Sequence, residues 1–255
     1  MPAPTLVVGA PCWIDLYSSD TDKATEFYGQ LFGWTAKPPD ERFGGYFTFT
    51  KDGKHVGGCM HNDGQTGAPD AWTVYLTTED IAATAEAAAV SGGRVDVAPM
   101  AIADNGSMAI VADPGQASVG VWQPGTQAGF EVTGETGTPN WFELHTRDYD
   151  ASVAFYRDVF KWDTHTASDT PEFRYTTLGE GENQLAGIMD ASQFMPEDGP
   201  ASWSIYFGVD DTDAALERIV ELGGKVIQPA EDTPYGRLAV AADPTGTLFK
   251  LVAHS

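Results

Sequence analysis

The sequence predicts an α+β protein built from four β-α-β-β-β modules, and three observations carry that prediction. The chain repeats itself in two halves, each half alternates strand-like and helix-like runs in the same order, and glycine turns punctuate the runs where elements should end. The run DLYSSDTDKATEFYGQLFGW from Asp15 lines up with ELHTRDYDASVAFYRDVFKW from Glu143, at a shift of 128 residues and with seven identities in twenty positions. Further on, TTEDIAATAEAAAVSGGRV from Thr77 matches GVDDTDAALERIVELGGKV from Gly208, and DPGQASVGVW from Asp113 matches DPTGTLFKLV from Asp243.

Within the first half, residues 12–17 have the composition of a short strand and lead to Asp20, a helix N-cap by type and position. Ala24, Phe27, Tyr28, Leu31 and Phe32 then recur at helical spacing up to Gly33. Strand-like runs follow at 45–50 and 55–60, separated by the turn Asp52-Gly53, which leaves one strand of the module without a clear run. A second module starts at 72–77, continues in the alanine-rich helix from Asp80 to Gly92-Gly93, and ends in strands near Arg94, Ser107 and Ser118. The second half repeats this order. The expected divisions are a domain over 1–124, a linker over 125–138 that runs across the surface because it is rich in Gly, Thr and Gln, and a domain over 139–255.

Composition narrows the function classes. With 42% hydrophobic and 20% charged residues the chain has the means to fold. A net charge of -23 repels polyanions, so nucleic acid is not an expected partner. Apolar runs such as Ala82 to Val90 are too short to cross a bilayer and the N-terminus has no basic segment leading an apolar one, so no membrane association is expected and the location expected is the cytoplasm. Cys12 and Cys59 are expected as free, buried thiols, and the chain as a monomer or homodimer.

The aromatic pair of the first helix followed by a tryptophan stop (FYGQLFGW, FYRDVFKW), the Gly-Gly helix end and the closing Asp-Pro turn resemble the vicinal-oxygen-chelate superfamily of glyoxalases, bleomycin-resistance proteins and dioxygenases, twice over and across nearly the whole chain. The resemblance is to the tandem actinobacterial type, labelled hydroxylases or 27 kDa antigens. It implies two glyoxalase-like domains, each a pair of modules whose curled sheet forms a cup for metal, substrate or drug.

Metal-using members of that superfamily place donor side chains on the first, fifth and last strands of a module pair. Carried onto this chain, the first-strand position falls on Trp13 and Trp141, the fifth-strand position on Thr73 and Ser204, and the last on Gly120 and Lys250. None is an ordinary ligand for a divalent cation, so no metal and no cofactor are expected at these positions. Two-residue spacing sets Trp13, Asp15 and Tyr17 on one strand face, and Trp141, Glu143 and His145 on its counterpart. Glu143 with His145 suits an acid/base couple or an atypical metal site.

Tyr75 and Tyr206 share the cup face with Thr73 and Ser204, and with the two tryptophans suggest aromatic walls for a flat ligand. His55, His61, His165 and His254 have the context of surface polar groups, and no phosphate loop or nucleophile elbow is present. The first reading is therefore a protein that binds a small aromatic or polycyclic molecule through Trp13, Asp15, Tyr17, Thr73, Tyr75, Trp141, Ser204, Tyr206 and Lys250 without metal. The second is an enzyme, either a metal-free acid/base catalyst using Glu143 and His145 or a lyase or oxygenase with unusual ligands.

Overall fold

The computed structural model describes residues 6–253, so His254 lies outside the described residues. The first module comprises β1 (Pro11–Ser18), α1 (Thr21–Phe32), β2 (Thr35–Ala36), β3 (Phe47–Lys51) and β4 (Lys54–His61). The second comprises β5 (Ala71–Thr77), α2 (Ile81–Val90), β6 (Arg94–Ile102), β7 (Gly106–Ala112) and β8 (Ser118–Pro124). In the other half the elements are β9 (Pro139–Thr146), α3 (Tyr149–Val159), β10 (Thr164–Asp169), β11 (Arg174–Leu178) and β12 (Ala186–Asp190), then β13 (Ser202–Gly208), α4 (Thr212–Glu221), β14 (Lys225–Thr233), β15 (Gly236–Ala242) and β16 (Leu248–Ala253). The strand that the sequence left undefined is β2, only two residues long, and the prolines at 38 and 39 cannot donate to a ladder that would extend it.

Local chemistry sets the helix ends. Asp20 accepts from Lys23 N at 3.0 Å, Asp80 from Ala83 N at 3.0 Å and Asp211 from Ala214 N at 3.0 Å, each satisfying a first-turn amide. Gly33 closes α1 at φ 75°, a left-handed conformation that a side chain resists.

Each half forms one eight-stranded sheet, with orders β2-β3-β4-β1-β5-β8-β7-β6 and β10-β11-β12-β9-β13-β16-β15-β14. Because β1 runs parallel to β4 and antiparallel to β5, the two modules of a half join edge to edge at its centre. The register sets Asp15 opposite Gly58 and Thr73, and Tyr75 opposite Gly120. Its counterpart sets Glu143 opposite Gly187 and Ser204, and Tyr206 opposite Lys250. Four strands thus deliver the central residues of each half to one place.

The residues that carried the family resemblance turn out to hold the halves together. Tyr28 of α1 is buried and donates to Asp243 Oδ2 at 3.1 Å in the other half, while Tyr156 of α3 donates to Asp113 Oδ2 at 3.3 Å in return. Each tyrosine hydroxyl also accepts an indole N–H, from Trp72 at 3.0 Å and from Trp203 at 2.9 Å. The tryptophan after each first helix crosses as well: Trp34 Nε1 donates to Gly137 O at 2.7 Å, and Trp162 Nε1 to Gly9 O at 2.8 Å. Phe32 packs on Phe207 and Phe27 on Phe249, so one buried apolar cluster runs through both halves.

Residues 125–138 do not simply run over the surface. Phe130 and Val132 are buried, Phe130 N donates to Cys12 O at 2.8 Å, and the Phe130 ring lies between Trp13 (5.8 Å) and Phe142 (5.7 Å). The expectation rested on the segment's polar composition, and its two apolar residues decide its path by burial. Both cysteines are free and buried. Among the described residues, no helix is long and apolar enough to cross a membrane.

Replacing Tyr156 by Phe leaves the Trp203 N–H and an Asp113 oxygen short of a partner inside the interface. Urea denaturation is expected to show a loss of about 1–3 kcal/mol, with Tyr28→Phe behaving alike. Unchanged stability in both variants would mean that the reciprocal contacts do not hold the halves.

Candidate functional site

Glu143 is the centre of the second half. It sits on β9 with only 7% of its surface exposed, where an unpaired carboxylate would be costly, and it collects donors from four strands. Tyr175 Oη donates to Oε2 at 2.7 Å, Tyr206 Oη to Oε1 at 2.7 Å, and His145 Nε2 lies 2.6 Å from Oε1. Lys250 Nζ lies 3.6 Å from Oε1 and donates to Tyr206 Oη at 2.9 Å. Trp141 Nε1 completes the set by donating to Tyr175 Oη at 3.0 Å.

The proton positions follow from the charges. Burial alone would raise the Glu143 pKa, but the His145 hydrogen bond, the Lys250 charge, positive charge on His145 and the Tyr175 hydroxyl outweigh it and bring it down to about 2. An ionised carboxylate cannot donate, so the proton in the 2.6 Å contact belongs to His145 Nε2. Lys250 Nζ is 3.0 Å from the same nitrogen, but a nitrogen that already donates its proton to Glu143 has no lone pair to accept another. The imidazole is therefore held by its Nε2–H, the arrangement that in a neutral ring leaves Nδ1 as the acceptor. Burial also lowers the Lys250 pKa, and the Glu143 charge only partly opposes this. Burial and the adjacent carboxylate raise the pKa of Tyr175 and Tyr206 well above the usual phenol value, so both remain donors. The side chains of His145 and Lys250 each keep 15% of their surface exposed, which leaves them within reach of solvent.

The first half copies the frame without the charges. Asp15 accepts from Trp13 Nε1 at 2.9 Å and from Tyr46 Oη at 2.8 Å, and Tyr75 is its neighbour across the strands. Gly120 stands where Lys250 stands, and Tyr17 where His145 stands. Burial raises the Asp15 pKa, partly offset by hydrogen bonds from Tyr46, Trp13 and Tyr75, and no cation is beside it. A shared device brings the tyrosines in: a Cβ at Gly58 would overlap the Tyr46 hydroxyl, and a Cβ at Gly187 the Tyr175 hydroxyl. Only glycine lets either phenol reach its carboxylate.

Of the residues singled out in the sequence, Trp141, Glu143, His145, Tyr206 and Lys250 meet in one cluster, and Trp13, Asp15 and Tyr75 in the other. Thr73 and Ser204 stand opposite Asp15 and Glu143 in the ladders. Of the four rings expected as aromatic walls, Trp141 is partly buried and the other three are buried. Trp13, Tyr75 and Tyr206 are buried at 5%, 7% and 7%, and the polar ends of Trp13 and Tyr206 are bound to the carboxylates rather than presented to a ligand. Sequence reasoning missed Tyr46 and Tyr175, although they align once the repeat is shifted by 129 residues, one more than the helix segment needs. A cleft of about 400 Å³ lies elsewhere, lined by residues such as Val7, Cys12, His55, Gln127 and Phe130, and neither carboxylate borders it.

The divalent metal that the family resemblance implies was tested against these donors. In the second half an ammonium already stands 3.0 Å from the imidazole and 3.6 Å from the carboxylate, where a metal would repel it. In the first half Asp15 has only neutral neighbours, and Gly120 and Thr73 offer no anionic or imidazole donor. Among the described residues no group of three His, Cys, Asp or Glu side chains is placed to share an ion. The residues present do not fit the group.

The depressed Glu143 pKa has a signed consequence for folding. The ionised, bonded form is favoured in the folded chain, so its contribution is fully present above the ordinary pKa of 4.5 and is lost as pH falls toward about 2. The stability gap between wild type and Glu143→Gln is expected to narrow over that window, by about 3 kcal/mol at most. Denaturant titrations at pH 5 and pH 2.5 check this, and a gap that stays constant would contradict the charge assignment.

Comparison with known proteins agrees with the geometry. The family model "Glyoxalase/Bleomycin resistance protein/Dioxygenase superfamily" matches residues 12–120 and again 138–251. The chain is 36% identical to the "Anthracycline biosynthesis protein DauV" of Streptomyces sp. (strain C5), covering 96% of this chain and 93% of that one. It is 34% identical to the "Putative glyoxylase CFP32" of Mycobacterium bovis, covering 96% and 94%. Among solved structures, a Mn(II)-bound glyoxalase from Novosphingobium aromaticivorans shares the fold with a TM-score of 0.66 at 15% identity, over 96% of this chain and 82% of that one. A 2,2',3-trihydroxybiphenyl 1,2-dioxygenase from Sphingomonas wittichii does so with a TM-score of 0.63 at 13% identity, over 97% and 91%. Two repeats of one sheet, each crossed by the same family model, in a chain matched over nearly its full length by these relatives, make this chain a member of the glyoxalase/bleomycin resistance protein/dioxygenase superfamily.

Proposed function

We propose that the second half is a metal-free acid/base site for a small organic molecule bearing an enolisable carbonyl or an acidic hydroxyl, and that the first half is chiefly a scaffold. The observation that carries this reading is the arrangement around one buried carboxylate: Glu143 fixes the Nε2–H of His145 at 2.6 Å while the Lys250 ammonium stands within 3.6 Å of the same carboxylate. A carboxylate that orients an imidazole through one nitrogen leaves the other to take a proton. An ammonium in a partly desolvated site favours an oxygen that gains negative charge.

In the proposed step, Nδ1 of His145 takes a proton from a carbon beside a carbonyl. The C–H electron pair becomes a C=C bond, and the carbonyl pair moves to oxygen as an enolate that Lys250 Nζ–H stabilises by hydrogen bonding. Return of the proton to the same or another carbon completes the exchange, and no oxidant or reductant is consumed. The name of the Streptomyces relatives, anthracycline biosynthesis protein, supports a small organic substrate. Simple capture of a ligand is the second reading, favoured by the only partly buried Trp141 ring beside the cluster.

The test is deuterium uptake from D2O into a panel of 1,3-dicarbonyl compounds and hydroxyaryl ketones, followed by NMR after exhaustive chelation of the protein. Wild type is expected to accelerate exchange with chelator present, and His145→Ala to lose about 100-fold or more of that rate, with Lys250→Met also impaired. Activity that disappears on chelation and returns with a divalent metal, or that is indifferent to both substitutions, would overturn the reading.

A further inference from the structure

Phe194 is exposed to 63% and is carried on the segment joining β12 to β13, beside the proposed base. Its ring meets the His145 ring edge-on, with centroids 6.3 Å apart and planes at 87°. A single exposed apolar side chain is ordinary on a protein surface. This one differs in how firmly it is held. Arg147, two residues beyond His145, donates through one guanidinium nitrogen to Ser192 O and Met195 O, both at 2.8 Å, on either side of the ring. Phe194 N and Met195 N both donate to Ala191 O, at 3.1 and 2.9 Å, and Gln193 Nε2 donates to Pro171 O at 2.7 Å. The backbone is tied at Ser192, Phe194 and Met195 and the Gln193 side chain is anchored between them, while the Phe194 ring stays open to solvent.

The two halves differ at this segment in the same sense as at the cluster. Between β4 and β5 the corresponding residues 62–70 contain no aromatic side chain, and Asn62 ties that loop to Ala68 and Asp70. Imidazole, ammonium and exposed phenyl ring all occur in the second half, and their counterparts Tyr17, Gly120 and the 62–70 loop lack all three. Met189 and Ser202 are the register neighbours of His145 on the flanking strands, a thioether and a hydroxyl.

We infer that Phe194 is a specificity-determining wall of the second cup and that the molecule bound there carries a flat aromatic ring, laid on Phe194, with an ionisable oxygen directed to Lys250. This rests on the acid/base reading for the role of Lys250 and adds the ligand class, an aryl ring bearing a hydroxyl next to a carbonyl. Ring stacking adds to area burial, so an aromatic ligand depends on Phe194 where an aliphatic enol of the same acidity does not.

The experiment titrates two probes into wild type, Phe194→Ala, Phe194→Trp and Lys250→Met, following tryptophan fluorescence: 1,8-dihydroxyanthraquinone as the aromatic probe and acetylacetone as the aliphatic one. Phe194→Ala is expected to weaken the anthraquinone about tenfold and acetylacetone by less than twofold, while Phe194→Trp retains the anthraquinone. Lys250→Met is expected to weaken both. If Lys250→Met weakens both but Phe194→Ala weakens neither, or weakens both equally, the wall assignment fails and the acid/base reading stands. If Lys250→Met changes neither, or wild type binds neither probe, both fail. Thermal unfolding of both Phe194 variants is expected to match wild type, because the ring is exposed and outside the core.

Discussion

A carboxylate carried on the central strand of a sheet has lost most of its water, and the protein around it must return what the water supplied. In the second half Glu143 receives two phenol hydroxyls, an imidazole N–H and a nearby ammonium, and Trp141 supports one of the phenols. Those donors come from β9, β11, β13 and β16, so the ion ties the middle of the sheet to its flanks. The same demand orients His145 and keeps Lys250 beside the carboxylate, and the chemistry proposed for the site is a by-product of satisfying one buried charge.

The duplicated chain shows what happens when the demand is met differently. Asp15 is one methylene shorter than Glu143 and is held by neutral donors, Trp13 and Tyr46, with glycine and tyrosine where the other half has lysine and histidine. Its pKa is raised rather than lowered, because burial dominates where no cation opposes it. The Phe130 ring of the connecting segment packs on Trp13. The common frame of tryptophan, tyrosines and a close-packed glycine persists in both halves, while an imidazole and a lysine stand beside the carboxylate in only one.

Much of the fold was legible because its signals are local or repeated. The N-cap aspartates, the glycine helix ends and the 128-residue repeat located the strands and helices, and the sequence also paired Glu143 with His145 through the two-residue period of a strand. What escaped was non-local. Tyr46 and Tyr175 reach the carboxylates only because Gly58 and Gly187 leave room across a strand pair, a fact of register that no single segment displays. The signature aromatics Tyr28, Trp34, Tyr156 and Trp162 suggested a family, but their work, bonding one half to the other, depends on how the halves pack. The tryptophans and tyrosines expected to line a ligand share strand faces with the two carboxylates. Their polar ends were claimed instead by the buried ions, which outbid exposure to a ligand because an unsatisfied buried charge costs more than an aromatic contact returns.

The claim on which this account turns is that Glu143 is an ion that fixes the Nε2–H form of His145 beside a lysine ammonium. Nitrogen-15 NMR of the histidine side chains reads that state directly, with His145 assigned by its loss in His145→Ala. The account predicts that the neutral His145 ring carries its proton on Nε2, with Nδ1 bare, and that Glu143→Gln redistributes the proton between the two nitrogens. A neutral ring protonated on Nδ1 in the wild-type protein would contradict it.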